Sequence, residues 1–253
     1  MTTTFYAPPD HFASGRVRLP EDEARHAVRV LRHGVGDEIV VVDGDGGRHR
    51  VRLTRADKAA AEGEIVATER EVGEPPFPVR IALAPLKQPA RFETFLEKAV
   101  ELGVTEVFPL LTKRTEGGRL KPERLRNLLV AAMKQSGRSR LPALAEPVSL
   151  RVLLEAQTPG LRLVCHEAAA PEAALLARLA AGDLAQGVTV IVGPEGGFTE
   201  DEVDEAEAAG WQVVSLGPRR LRAETAAMAA AAVVAAFASG ATLTSETAAS
   251  EAP

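Results

Sequence analysis

Residues 71–78 read Glu-Val-Gly-Glu-Pro-Pro-Phe-Pro, with three prolines in four positions. Proline fixes φ and removes a backbone donor, so neither a helix nor a central strand can run through this stretch. It predicts a linker, and with it two domains in a chain of 253 residues. The hydrophobic texture differs on its two sides. Upstream, Glu38–Val42 is a short apolar strand, Asp43–Gly47 is a turn cluster, and Arg48–Thr54 alternates charged and apolar residues with period two. That order is a hairpin signal, and Ile65–Thr68 supplies another strand. Glu21–Leu31 has helical spacing, with Ala24, Ala27, Val28 and Leu31 on one side and Arg25, His26, Arg29 and Arg32 on the other. A small β-barrel with one short helix fits residues 1–74.

Downstream, strands alternate with helices. Strands are expected at Val79–Ala84, Val104–Leu111, Leu161–Cys165, Val188–Val192 and Trp211–Leu216. Helices are expected at Ala90–Leu102, Pro122–Ser136, Pro171–Ala181, Glu200–Ala209 and Glu224–Ala238. This alternation predicts an α/β domain built on a parallel sheet over residues 75–240. Residues 241–253, rich in Ala, Thr, Ser and Glu, are expected to form a disordered tail.

Bulk composition narrows the class. One cysteine, Cys165, excludes an intrachain disulfide framework. The five histidines (His11, His26, His33, His49, His166) have no metal-ligand spacing, so no metal site is expected. No apolar run is long enough for a membrane span, and MTTTFYAPPD lacks the basic and apolar regions of a secretory signal. A cytoplasmic location is the resulting expectation. The net charge of −5 gives no hint of a polyanionic partner, yet Lys113–Arg140 holds nine Lys/Arg against two Glu, a local +7. Such a run is either a solvated helix face or a phosphate-binding stripe, and charge alone balances the two.

In open α/β sheets, ligands bind at the carboxyl ends of strands. One such end is Gly193-Pro-Glu-Gly-Gly-Phe198, whose glycines admit close backbone approach and which leads into a capping box, Thr199 with Glu202. It contains neither Gly-Lys-Ser/Thr nor GxGxxG, so it is not a P-loop or a dinucleotide fingerprint. By itself it also reads as a well-capped strand-to-helix turn. A second end, Ser215-Leu-Gly-Pro-Arg-Arg-Leu-Arg-Ala-Glu-Thr225, joins a turn, three arginines and an acid at a helix start. Glu224 there has a structural reading as a first-turn glutamate, whereas the arginines suit a phosphate-bearing substrate. At a third end, Cys165-His-Glu167, Glu167 is placed to accept hydrogen bonds from a ribose, and His166 reads as a satisfied loop histidine.

The combination GPEGGFTEDEV followed by SLGPRRLRAETAA resembles the RsmE-type 16S ribosomal RNA uridine-N3 methyltransferases of the SPOUT superfamily. HAVRVLRHGVGDEI is similar to that family's N-terminal RNA-binding module. LAPLKQPARFETFLEKAVELGVTEVFPLLTKRTE and AAMKQSGRSRLPALAEP are similar to the start and the central basic motif of its catalytic domain. Arg219-Arg220 stands where an apolar residue often precedes Leu-Arg.

The resemblance implies a PUA-like barrel over 1–74 and a SPOUT domain over 75–240 with a C-terminal trefoil knot. It also implies a homodimer, S-adenosyl-L-methionine as cofactor, and small-subunit 16S rRNA as substrate, without metal or membrane. Cofactor contacts are then expected from Gly193, Glu195, Gly196, Leu216, Gly217, Leu221, Arg222 and Ala223. Uracil N3 is a poor nucleophile while protonated, so the reaction needs a base or an anion-stabilising donor. Glu224 is the candidate base, Glu195 its rival, and Arg222 the group for stabilising negative charge or gripping a phosphate. RNA contacts are expected from Arg25, His26, Arg29 and Arg32, and from Lys134, Gln135, Ser136, Gly137 and Arg138. The competing readings are a nucleotide-dependent enzyme of doubly wound type and a non-catalytic RNA-binding ribosome assembly factor.

Overall fold

The computed structural model describes residues 3–57, 60–118 and 120–250, with side chains through Ser239. Two compact units emerge: Met1–Glu74 with Leu129–Leu141, and Pro75–Leu128 with Pro142–Pro253.

The first unit is a six-stranded sheet of β1 (Thr4–Tyr6), β2 (Phe12–Ala13), β3 (Arg16–Arg18), β4 (Glu38–Val42), β5 (Gly47–Ala56) and β6 (Ala61–Arg70). Its order is β1-β4-β5-β6-β3-β2, antiparallel except where β1 joins β4. The expected hairpin is present, with Val42 opposite Arg48. In β5 the alternation works as read: His49, Val51 and Leu53 are buried, while Arg50, Arg52 and Thr54 face out. Val51 and Leu53 join Phe5, Val17, Leu19, Ala24, Ala27, Ile39, Val41 and Ala61 in one core. Strands β1–β3 escape a periodicity reading because each has only two or three residues.

The expected helix over 21–31 is α1 (Glu21–Arg25) continued by a π-helical turn, His26–Val30, in which Leu31 N–H donates to His26 O at 3.1 Å. The chain leaves it through Arg32 at φ 61°, and His33 N–H donates to Ala27 O at 3.0 Å. This left-handed helix end is one residue wider than a Schellman motif, with arginine at the position where glycine is usual.

The inclusion of Leu129–Leu141 corrects the expected unbroken 75–240 domain. Leu141 N–H donates to Gly44 O and Gly46 N–H to Ser139 O, so the Asp43–Gly47 turn holds this segment within the first unit.

The second unit is a sheet of β7 (Val79–Leu83), β8 (Glu106–Leu111), β9 (Ala143–Leu144), β10 (Val148–Ser149), β11 (Leu161–Cys165), β12 (Val188–Val192) and β13 (Gln212–Val214). The order is β10-β8-β7-β12-β11-β13, with β9 also on β8, and every pairing is parallel. Its helices are α2 (Pro89–Glu101), α4 (Leu150–Glu155), α5 (Leu175–Ala181), α6 (Glu200–Ala208) and α7 (Ala223–Ser250), while α3 (Pro122–Ser136) starts in this unit and from Leu129 belongs to the first. Every residue of β12 is buried, as expected of a strand covered on both faces. Ala82, Val164 and Ile191 share a core with Leu153, Leu154, Phe198, Ala206 and Trp211. The alternate residues Ile81, Leu163 and Val190 point the other way, and α7 packs on β7 and β12 beside α2 and α5. The buried face of α7 is almost all alanine (Ala227, Ala230, Ala231, Val234, Ala238), which permits close approach to the sheet.

Two smaller corrections concern helices. The expected Pro171–Ala181 helix is a 3-10 turn, Pro171–Ala173, followed by α5. The structure carries α7 through Ser250, into residues expected to form a disordered tail. The remainder of that tail, 251–253, lies outside the described residues. Among the described residues no helix is long and apolar enough to cross a membrane.

Candidate active site

Sheet register places the candidate loops. Leu83 pairs with Val192, Val192 with Cys165, and Cys165 with Val214. The last residues of β7, β12, β11 and β13 therefore stand abreast, and the loops that follow leave from one edge of the sheet. These loops carry Pro85–Lys87, Gly193–Phe198, His166–Glu167 and Ser215–Arg222.

Hydrogen bonds fix the loops to one another. Lys87 N–H donates to Glu195 Oε1 at 3.1 Å, joining the β7 and β12 loops. From the β8 loop, Arg114 Nη1 donates to the carbonyls of Gly196 (2.8 Å) and Phe198 (3.1 Å). Lys113 N–H donates to Glu202 Oε1 at 2.7 Å, while Glu202 Oε2 accepts from Thr199 N–H at 2.9 Å. The Thr199–Glu202 capping box is present, and its buried glutamate also ties two loops together. Gly117 is where the β8 loop crosses the β7 loop most closely: a Cβ there would lie 1.9 Å from Pro85 O.

The Ser215–Arg222 segment is held at its start, where Ser215 N–H donates to Ala173 O and Leu175 N–H to Ser215 O. Gly217, at φ 99°, has open space where a side chain would be, as does Gly197 at φ 67°. Leu216 and Leu221 are half-buried, Ala223 is buried as the first residue of α7, and Arg222 is exposed. The edge thus combines open backbone, two partly covered leucines and an exposed arginine. Glu167 and Arg220 approach at 3.7 Å, both largely exposed. Burial pushes the Cys165 thiol up to about 12, which makes it a poor nucleophile at neutral pH.

The two carboxylates weighed as bases differ in setting. Glu195 is half-buried and its Oε1 takes the Lys87 amide. Glu224 is 8% exposed; its Oε1 lies 3.6 Å from Arg91 Nε and its Oε2 is buried with no hydrogen-bond partner.

The basic run is mostly consumed internally. Lys113 pairs with Asp201 and Arg124 with Glu93, in addition to the Arg114 contacts. In the first unit, Lys134 pairs with the buried Glu23, and Arg140 with Glu71 and Asp45. Arg138, expected to contact RNA, is 2% exposed with its Nη2 2.6 Å from Glu74 Oε2. The same Glu74 accepts from the amides of Ser139 and Arg140. Gln135 is exposed, and Ser136 Oγ donates back to Ala132 O. By contrast, Arg25, His26, Arg29 and Arg32 all lie exposed, only Arg25 among them carrying an ion pair in view, to Glu21.

Sequence reasoning missed Arg91 and Arg114. Arg114 was submerged in the charge run. Arg91 had a signal: a cation in the first turn of a helix opposes the helix dipole, so it calls for a partner.

The parallel sheet with its glycine loops and the small β-domain both fall in stretches that match families of RNA methyltransferases, which gives the class. The RNA methyltransferase domain family matches residues 73–235, and the RNA methyltransferase PUA domain family matches residues 19–66. The ribosomal RNA small subunit methyltransferase E of Synechocystis is 36% identical over 222 residues, 86% of this chain and 72% of that protein. That of Mycobacterium tuberculosis is 32% identical, over 83% of this chain and 82% of its own. A crystal structure of ribosomal RNA small subunit methyltransferase E from Neisseria gonorrhoeae bound to S-adenosyl methionine matches with a TM-score of 0.80 at 31% identity, covering 94% of this chain and 98% of that one. The chain belongs to the ribosomal RNA small subunit methyltransferase E family.

Proposed function

We propose that this chain methylates N3 of a specific uridine in 16S rRNA, with S-adenosylmethionine as the donor. The observation that carries the reading is the line of in-register strand ends bearing both glycine loops, with a buried, incompletely partnered carboxylate at the start of α7. The residues fit the donor. Gly197 and Gly217 leave backbone open for close approach, Leu216 and Leu221 offer apolar surface to a flat base, and Gly193, Glu195, Gly196, Arg222 and Ala223 complete the cradle. When bound, the donor supplies an electrophilic methyl group, and the protein supplies orientation and proton management.

Glu224 Oε2, which makes no hydrogen bond within the protein, takes the N3 proton and leaves the nitrogen lone pair free to accept the methyl. Arg222, exposed beside it in sequence, stabilises the developing uracil anion or grips the neighbouring phosphate. The uridine leaves its stack to reach this edge. Arg25, Arg29 and Arg32 supply cations for the RNA and His26 a ring for hydrogen bonding, with Gln135, Ser136 and Gly137 as a further contact. Lys134 and Arg138 serve by fixing that segment, because their own side chains are taken by Glu23 and Glu74. The same reading includes a trefoil knot formed by the C-terminal segment, a homodimer and a cytoplasmic location. The interlacing of the loops after β7, β8 and β12 supports the knot.

Titration calorimetry with S-adenosylmethionine tests the reading first, and absence of binding defeats it. Binding without transfer to small-subunit RNA favours an assembly factor. Arg222→Ala is expected to lose transfer with its unfolding midpoint unchanged, and near-normal turnover removes its role.

A further inference from the structure

We infer that Arg91 is a positioning residue for the methyl-transfer reaction: it holds Glu224 through its carboxylate and leaves Oε2 as the oxygen that works. The inference rests on the assignment of Glu224 as base.

Three observations converge on the pair. Glu224 sits in the first turn of α7 and Arg91 in the first turn of α2, and the two helices pack together. A carboxylate at a helix start is favoured by the dipole; a guanidinium there is not, unless an anion faces it. Arg91 is thus placed where its own helix disfavours it and where the buried glutamate lies within 3.6 Å. The geometry is also asymmetric. Arg91 approaches Oε1 through Nε and stays beyond hydrogen-bond distance, while Oε2 is buried without a hydrogen-bond partner. The strong form of an arginine–carboxylate pair has short, often bidentate bonds. That form occurs in this chain, in Arg124–Glu93 at 2.6 and 2.7 Å.

Burying a carboxylate with one oxygen unpaired costs free energy; Glu23 also has a buried unpaired oxygen, but its other oxygen is hydrogen-bonded to Lys134, whereas Glu224 meets Arg91 only at 3.6 Å. The loose pair keeps the charge balanced without satisfying the acceptor. Its side chains are 28% and 10% exposed, so the charge on Arg91 is incompletely screened at Glu224.

The test is a double-variant cycle of Arg91→Ala and Glu224→Gln, with Arg91→Lys alongside, on the full chain. Four quantities are read: the single-turnover rate, KM with 16S RNA, S-adenosylmethionine Kd by calorimetry, and the unfolding midpoint of the cofactor-free protein. Arg91→Ala is expected to slow transfer about tenfold or more, with Kd and KM within about twofold. Arg91→Lys, which keeps the charge, is expected to recover most of the rate. Adding Arg91→Ala to Glu224→Gln is expected to slow it no further. In the cofactor-free protein Arg91→Ala lowers the midpoint, and adding Glu224→Gln restores part of it, because the uncompensated charge is gone. Additive rates in the double variant overturn the positioning role while leaving Glu224 as base. A weakened Kd matching the rate loss overturns it in favour of a cofactor contact. An unchanged rate in Glu224→Gln alone defeats the base assignment, and the inference with it.

Discussion

Two arginine-rich stretches of this chain look alike in sequence and are used in opposite ways. Around α1, Arg25, Arg29 and Arg32 lie exposed on the surface of the first unit. Between Lys134 and Arg140 the cations turn inward, onto Glu23, Glu71, Glu74 and Asp45. The first stretch leaves its cations on the surface; the second ties its own segment to acidic residues of the same unit. Residue type and density do not separate the two. What separates them is the presence of acidic partners more than sixty positions away, brought close by the fold.

The comparison is broken most directly at Glu74. Glu74→Ala removes the carboxylate that pairs with a guanidinium 2% exposed, and breaking such a buried pair costs about 3–5 kcal/mol. Urea denaturation is expected to show a loss of that order; a change below about 1 kcal/mol contradicts the inward reading of this stretch. Arg29→Ala, on the other stretch, is expected to leave the midpoint unchanged and weaken RNA binding. A plot of log affinity against log salt should lose about one unit of slope for each phosphate contact removed. An unchanged slope takes Arg29 out of the RNA face.

Arg32 sharpens the contrast, since it occupies a left-handed conformation at φ 61°. Arg32→Gly relieves that strain and is expected to stabilise the protein by about 1 kcal/mol while RNA affinity falls. Loss of both stability and affinity would show that the side chain is structural after all. The smallest effect is at Glu71, whose carboxyl Arg140 holds below the usual carboxylate range by direct hydrogen bonding. Both side chains are about half exposed, so Glu71→Gln is expected to cost no more than about 1 kcal/mol. A depressed carboxyl stabilises the fold above its ordinary titration range and loses that contribution as pH falls through the lowered value. The gap between variant and parent should therefore close in acid, and a gap independent of pH excludes the ion pair as its source.

Much of the fold is legible in the sequence because its cues are local. The proline cluster ends the first unit at Glu74, the alternation in Arg48–Thr54 gives a half-buried strand, and Thr199 with Glu202 starts α6 as a capping box. The two glycine loops can be placed at strand ends from the β/α alternation alone, and register then sets them abreast. Strands of two or three residues carry too little pattern to read. The association of Leu129–Leu141 with the first unit depends on partners far away in sequence, and no local pattern reports it. The site divides in the same way. Glu224 is visible as an acid at a helix start, whereas its burial and its loose contact with Arg91 arise only from the packing of α7 on α2.

The central claim, that this chain transfers a methyl group to a uridine of small-subunit RNA, is tested most directly by mass mapping of 16S rRNA after incubation with the purified protein and S-adenosylmethionine. The RNA is supplied both naked and in assembled small subunits. A single uridine is expected to gain one methyl group at N3 in at least one of these forms, and to stay unmodified with Arg222→Ala. RNA that is bound but carries no new methyl group in either form would contradict it.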